Sequence, residues 1–198
     1  RPYIDIQLSL NSFLPDGLDP EFAGKLIDFQ LEKLADHREY HDKIEFKVAA
    51  TCLDFDFASH ESELRSAGFA TRHIADLRQR LQKITLPAVK NYGREHSRLI
   101  SLTRELRNRD VGSGKKGFAD WMQSQLSATI TNGTLPFSML ARHGFIAKSL
   151  LNSMVARGVL SDEDIDRFLR NVETVAENLV IDINHLNQGS TTLNDFLA

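Results

Sequence analysis

Ile44-Glu45-Phe46-Lys47-Val48-Ala49-Ala50-Thr51-Cys52-Leu53-Asp54-Phe55-Asp56-Phe57 is the stretch on which the fold class turns. Ile44, Phe46 and Val48 alternate with Glu45 and Lys47, the period-2 signature of a half-buried strand. After Ala49-Ala50 the phase shifts, and Leu53, Phe55 and Phe57 alternate with Asp54 and Asp56. Such a slip is what a bulge or a strand bend produces. Upstream, residues 3–10 alternate in the same way, with Ile4, Ile6 and Leu8 opposite Asp5 and Gln7. Between the two stretches, Pro15-Asp16-Gly17 reads as a turn and Asp19 as the cap of a helix with Pro20 at its first position. Phe22, Leu26, Phe29 and Leu34 give that helix an apolar face. Residues 1–60 are therefore expected to form a strand-helix-strand segment. Two strands cannot make a stable sheet alone, so the segment would complete a small sheet begun upstream.

Downstream the period changes. Residues 61–198 read as a helical domain. Ile74, Leu77, Leu81 and Ile84 recur at helical spacing after Thr71, a capping residue; Pro87 and Gly93 are expected to interrupt. Leu99, Leu102 and Leu106 mark a second amphipathic helix, and Trp121, Leu126 and Ile130 a third, ending at Asn132-Gly133. A fourth runs through Leu140, Phe145, Leu151 and Val155 to Gly158, a C-cap. Ser161-Asp162-Glu163-Asp164 opens a fifth, with acids at its positive end and an apolar stripe from Ile165 to Leu186. The expected fold is mainly α, of the α+β class: a bundle of at least five helices with a small sheet near the N-terminus. Thr192, with Asp195 three residues on, opens a further helix just before the sequence stops. The start inside a strand-like pattern and this late helix start suggest a piece of a larger enzyme.

The chain has 198 residues, 41% hydrophobic and 26% charged, which suits a folded globular protein. No apolar run approaches the roughly 20 residues of a membrane helix, and the N-terminus has no signal-peptide pattern. A single cysteine, Cys52, permits no internal disulfide and fits a cytoplasmic setting. Residues 61–116 hold 13 Lys/Arg against 6 Asp/Glu, between two acidic flanks. A net charge of −3 argues against nucleic acid as the partner.

Several motifs invite chemical readings. Gly112-Ser113-Gly114-Lys115-Lys116-Gly117 lacks the Walker spacing and joins two helices, so a surface connector is expected. His37 and His41, four apart, have no third ligand that completes a metal template. Cys52 sits among apolar residues as an inert buried thiol. No catalytic residue and no metal site is expected. The stretch Gly133-Thr134-Leu135-Pro136-Phe137-Ser138-Met139-Leu140-Ala141-Arg142-His143-Gly144-Phe145-Ile146-Ala147 is more unusual. A helix opening at Pro136 would offer first-turn amides to an anion, with Arg142, His143 and Lys148 as cationic donors along it. The opposing reading leaves Arg142 to solvent and Gly144 to helix packing.

Arg1-Pro2-Tyr3-Ile4-Asp5-Ile6, Asn11-Ser12-Phe13-Leu14-Pro15 and His41-Asp42-Lys43-Ile44-Glu45-Phe46 carry a resemblance, together with Gly133–Ala147 and Gly158-Val159-Leu160-Ser161. In these stretches the chain resembles the central region of phosphoenolpyruvate-synthase-like phosphotransferases, including the glutamine kinases of capsule biosynthesis. The resemblance implies an ATP-grasp domain that phosphorylates a histidine on a mobile domain, which carries the phosphoryl group to an acceptor. Both domains are outside this sequence and would be its partners in the same parent chain. ATP and Mg are implied for the parent enzyme, and no cofactor for this chain. The chain would be the linker and acceptor-side domain, with a small-molecule acceptor. Arg1, Asn11, Thr134, Arg142 and His143 are the candidate substrate-binding residues. A non-catalytic helical spacer and a protein-binding module are the alternatives.

Overall fold

The computed structural model describes residues 5–108, 117–172 and 183–188. The chain divides into two compact units, Arg1–Arg157 and Gly158–Ala198. Among the described residues every regular element is helical and no strand occurs, which corrects the expected N-terminal sheet.

The first unit opens with α1 (Ile6–Phe13), where a strand is expected. Asp5 caps it, its carboxylate accepting the Leu8 amide at 2.9 Å. Ile6, Leu10, Phe13 and Leu14 face the interior at helical intervals, while Leu8 stays 68% exposed. The alternation of Ile6 and Leu8 is thus incidental, because Leu10 and Phe13 extend the face only at period 3.6. Tyr3 and Ile4 lie outside the described residues. After the turn at Gly17 comes α2 (Pro20–Asp36), with Asp19 capping the Phe22 amide and Pro20 at the helix start as the sequence implies.

The second expected strand is corrected too. A single 3-10 turn, Arg38–Tyr40, leads to the short α3 (Ile44–Lys47). Val48 and Ala49 both donate to the Ile44 carbonyl, at 3.0 and 2.8 Å. Ile44, Val48 and Ala49 are buried together, a helical rather than an alternating set. Residues 50–56 are then irregular. Their backbone meets side chains in place of a partner strand. Leu53 N–H donates to Thr85 Oγ1 at 2.8 Å, and Phe55 N–H to Ser153 Oγ at 3.2 Å. Two alternating runs with no third strand to pair with find their hydrogen bonds locally and on helix hydroxyls.

Helix α4 (Phe57–Ser66) and α5 (Thr71–Lys90) follow. Ala70, not Thr71, holds the cap position of α5, and the Thr71 hydroxyl instead accepts from Arg65 at 2.9 Å. Phe22, Leu26, Phe57, Leu64, Ile74, Leu77 and Leu81 form one core joining α2, α4 and α5, across the boundary expected near residue 60. Leu10, Ile27, Ile44, Val48 and Ala49 form a second against α1 and α3. Adjacent Leu26 and Ile27 thereby send α2 into both cores.

Pro87 does not interrupt α5; the break falls one turn later at Asn91, whose amide donates to the Pro87 carbonyl at 2.9 Å. Near a helix end, losing one ladder bond is tolerated. Helix α6 (Tyr92–Arg107) takes in Gly93. Helix α7 (Phe118–Thr129) runs without a stop through a π-turn, Ile130–Thr134, into α8 (Leu135–Ala156). The expected helix end at Asn132-Gly133 and new start at Pro136 are therefore replaced by one continuous rod. The Leu135 amide donates to the Ile130 carbonyl, five residues back. This wider turn, immediately before Pro136, gives room where a proline ring would otherwise crowd the preceding turn. Helices α6 and α8 run antiparallel, with Leu106 beside Gly133 and Tyr92 beside His143.

Gly158, with φ +69°, ends α8 as the sequence implies. In the second unit, α9 (Asp162–Arg170) begins on a reciprocal capping box: Asp164 N–H donates to Ser161 Oγ and Ser161 N–H to Asp164 Oδ2, both at 3.1 Å. Phe168 and Leu169 on its apolar side are 57% and 50% exposed. The stripe expected at residues 175–179 and the helix start at Thr192 lie outside the described residues.

Candidate functional site

The break between α5 and α6 turns the chain through Asn91 and sets the first turns of α6 against the middle of α8. Between them lies a groove with two adjoining chambers that share Ala88, His143 and Ile146. The larger, about 650 Å³, is lined by Ala88 and Val89 of α5, Tyr92 and His96 of α6, and Leu140, Gly144, Ala147 and Leu150 of α8. The smaller, about 260 Å³, is lined by Pro87, Asn91, Arg94, Glu95, Met139 and Arg142. One end is aliphatic and aromatic, the other cationic.

His143 stands where the chambers meet. Its Nδ1 lies 2.8 Å from the Met139 carbonyl, one turn back on the same helix. A carbonyl only accepts, so Nδ1 carries a proton, and in a neutral ring that tautomer leaves Nε2 as an acceptor. The Tyr92 ring meets this imidazole edge-on, with centroids 5.7 Å apart at 63°, and also lies 5.5 Å from the His96 ring. Tyr92 therefore fixes the spacing of both imidazoles.

Arg142 reaches from α8 to the end of α1, where its Nη2 donates to the Ser12 carbonyl at 2.9 Å. Burial lowers its pKa, because the guanidinium has lost part of its water. Among the described residues no carboxylate lies within 4 Å of Arg142 or Arg94. Glu95 lines the same chamber, but both its oxygens are taken by Arg98, at 2.8 and 3.2 Å; this bond holds its carboxyl below the usual range, with smaller contributions from the nearby His143 and Arg94. Among the described residues the smaller chamber thus carries two guanidinium groups that form no ion pair, beside one carboxylate bonded to Arg98.

Of the residues singled out in the sequence, Arg142 and His143 come together in this groove. Asn11 is exposed on α1 next to Ser12, the residue that holds Arg142, but does not line the groove. Thr134 ends the π-turn, eight residues before Arg142 and so about 12 Å along the rod. With α7 running into α8, the first-turn amides expected at Pro136 are not free. Arg1 and residues 112–116 lie outside the described residues. Asn91, Tyr92, Arg94 and His96 are the groove residues that the sequence reading missed. Their signal is the Pro87–Gly93 interruption, which marks a helix corner in the most basic part of the chain.

The other candidates separate. His37 Nδ1 meets Glu39 at 3.1 Å and its ring stacks on Tyr40, whereas His41 Nδ1 meets the Arg38 carbonyl at 3.1 Å. Among the described residues no group of three or more His, Cys, Asp or Glu side chains could hold a metal. Burial pushes the Cys52 thiol up to about 11, with hydrogen bonds to Ser149 and Thr51 opposing it. Among the described residues no helix is long and apolar enough to cross a membrane.

No family model matches this chain, and neither a curated protein nor a solved structure is significantly similar to it.

Proposed function

We propose that this chain is the acceptor-side module of an ATP-dependent phosphotransferase of the phosphoenolpyruvate-synthase-like kind. The observation that carries this reading is the groove around Arg142 and His143, with two guanidinium groups that form no ion pair among the described residues beside an apolar chamber. It is built partly from Gly133–Ala147, a stretch on which the family resemblance rests. Phosphoryl transfer depends on positioning and on stabilising charge, and guanidinium groups suit both a bound anion and a phosphoryl group in flight. An ATP-grasp domain, Mg-ATP and a mobile phosphohistidine domain would supply the phosphoryl group. The work would take place in the cytoplasm.

The test uses the enzyme that carries all three domains. Arg94→Ala and Arg142→Ala should each lower acceptor phosphorylation about tenfold or more, while ATP still labels the phosphohistidine normally. Arg94 gives the cleaner result, because Arg142 also ties α8 to α1. Unchanged transfer, or equal loss of both half-reactions, would refute the proposal. The chain by itself should neither hydrolyse ATP nor acquire acid-labile phosphate.

A protein-binding role has one observation in its favour. Phe118, Met122 and Leu126 of α7 and Ile130 of the π-turn recur every four residues, and Phe118, Leu126 and Ile130 are 74%, 60% and 61% exposed. Such a stripe suits a helix-in-groove contact. Replacing Phe118 and Leu126 by Ser together should then abolish assembly with the partner domains.

A further inference from the structure

The groove is asymmetric, and that asymmetry restricts what it can hold. We infer that its ligand is a small organic carboxylate with an apolar body, the carboxylate beside Arg94 and Arg142 and the body in the larger chamber. This inference rests on reading the groove as the acceptor site.

The head group follows from charge. Arg142 is half-buried, with one guanidinium nitrogen committed to the Ser12 carbonyl and no acid within 4 Å among the described residues. A partly desolvated cation without a partner gains most from an anion. Arg94 reaches the same chamber from α6, also without a carboxylate within 4 Å among the described residues. Two guanidinium groups on different helices can take the two oxygens of one carboxylate. Glu95 lines the same chamber but is hydrogen-bonded to Arg98 through both oxygens, so it offsets the two guanidinium charges only in part. A cationic ligand would meet two guanidinium groups here, against a single carboxylate already bonded to Arg98.

The body follows from the larger chamber. Val89, Leu140, Ala147 and Leu150 make its walls, Tyr92 and His96 supply its aromatic side, and its 650 Å³ fits small-ligand pockets in general. A sugar or nucleobase would lose its water against these walls without replacement hydrogen bonds. At the junction, His143 Nε2 accepts one N–H or O–H from the ligand. Nδ1 is turned back to its own helix, and the residue lines both chambers. The ligand therefore carries its donor between head and body.

The experiment uses the 198-residue chain and three probes: phenylbutyrate, phenylbutanol and acetate. Amide NMR spectra should show phenylbutyrate moving signals of Asn91–His96 and Leu140–Ala147. Phenylbutanol and acetate should each bind at least about tenfold more weakly, the loss of one charge-assisted pair or of the buried body. Arg94→Gln should erase the preference for acid over alcohol and leave alcohol binding unchanged. Ala147→Trp, which fills the chamber from an exposed helix position, should block acid and alcohol alike. Equal affinity for acid and alcohol, acetate as tight as phenylbutyrate, no effect of Arg94→Gln, or shifts elsewhere would each overturn the inference. Phosphotransfer by the three-domain enzyme is scored separately. If carboxylates bind as described but transfer ignores Arg94, the phosphotransfer reading falls and the ligand class stands. If transfer needs Arg94 but the acceptor lacks either the carboxylate or the apolar body, the ligand class falls alone.

Discussion

Thr85 on α5 accepts the amide proton of Leu53 at 2.8 Å while donating its own proton to the Leu81 carbonyl, also at 2.8 Å. Ser153 on α8 does the same for Phe55, accepting at 3.2 Å and donating to the Leu150 carbonyl at 2.8 Å. Both hydroxyls are buried, so the irregular segment 50–56 is tied to two helices at points water does not reach. Thr85→Val keeps the shape of the side chain but strands the Leu53 amide. Stability should fall by about 1–3 kcal/mol, the cost of a buried unpaired donor. Ser153→Ala should lose about 1 kcal/mol, since its bond is longer. Urea unfolding measures both, and unchanged midpoints would contradict the two clamps.

Cys52 lies in the same segment, 4% exposed. With its thiol pushed up to about 11, almost none of it is thiolate at pH 8, and burial blocks reagents as well. Native protein should react with a thiol-specific reagent at pH 8 only as fast as it opens. In denaturant the same thiol should react with the speed of a free cysteine. Fast stoichiometric labelling of folded protein would show that the segment opens readily.

The helical part of the fold was legible wherever the apolar period ran long. The Ile74–Ile84 series, the Asp19-Pro20 start and the Ser161–Asp164 capping box all appear as read. The short alternating runs misled, because four or five residues cannot distinguish a strand from a helix end whose buried side happens to fall on every second position. Ile6 with Leu10 and Ile44 with Val48 hold the helical spacing, but a four-residue helix such as α3 is fixed by its packing, which no local pattern records. Arg142 and His143 stood out because they fall in an unusual string. Arg94 and His96 did not, since they belong to the site only through the corner at Asn91. That corner brings α6 back along α8, a long-range contact invisible in local sequence. The continuous rod through Pro136 was illegible for a related reason: the π-turn absorbs a residue that usually ends a helix.

Asp54 gives a pH dependence. Burial raises its pKa, opposed by His60, and its Oδ1 accepts the Asp56 amide at 3.0 Å. A carboxyl whose pKa is higher in the folded state favours folding when protonated. Its contribution is complete below the unfolded value of about 3.9 and is lost as pH rises through the folded value. At pH 7 the ionised group therefore opposes folding. Asp54→Asn keeps the acceptor oxygen and removes the charge, so its melting temperature should exceed the wild type's at pH 7. The gap should close as pH falls towards about 4. A gap that is constant with pH, or of opposite sign, would show that the carboxylate is better solvated than its burial implies.

Gly133 tests the close approach of α6 to the π-turn. A Cβ placed on it would come within 3.0 Å of Leu106 Cδ2, so a methyl group requires the leucine to shift by a few tenths of an ångström. Leu106 is only half-buried and can move that far. Gly133→Ala should then be nearly neutral, the gain of about 1 kcal/mol in helix propensity offsetting the crowding. A larger, β-branched side chain has no such escape: Gly133→Ile should destabilise by about 1–3 kcal/mol as it pushes the helices apart. Leu106→Ala makes room for the new side chain. In the double variant the loss should be smaller than the sum of the two single losses, by about 1 kcal/mol. Strict additivity in urea unfolding would mean that Leu106 and Gly133 do not touch in solution. The antiparallel packing of α6 on α8, on which the groove at Arg94 and Arg142 depends, would then need a different register.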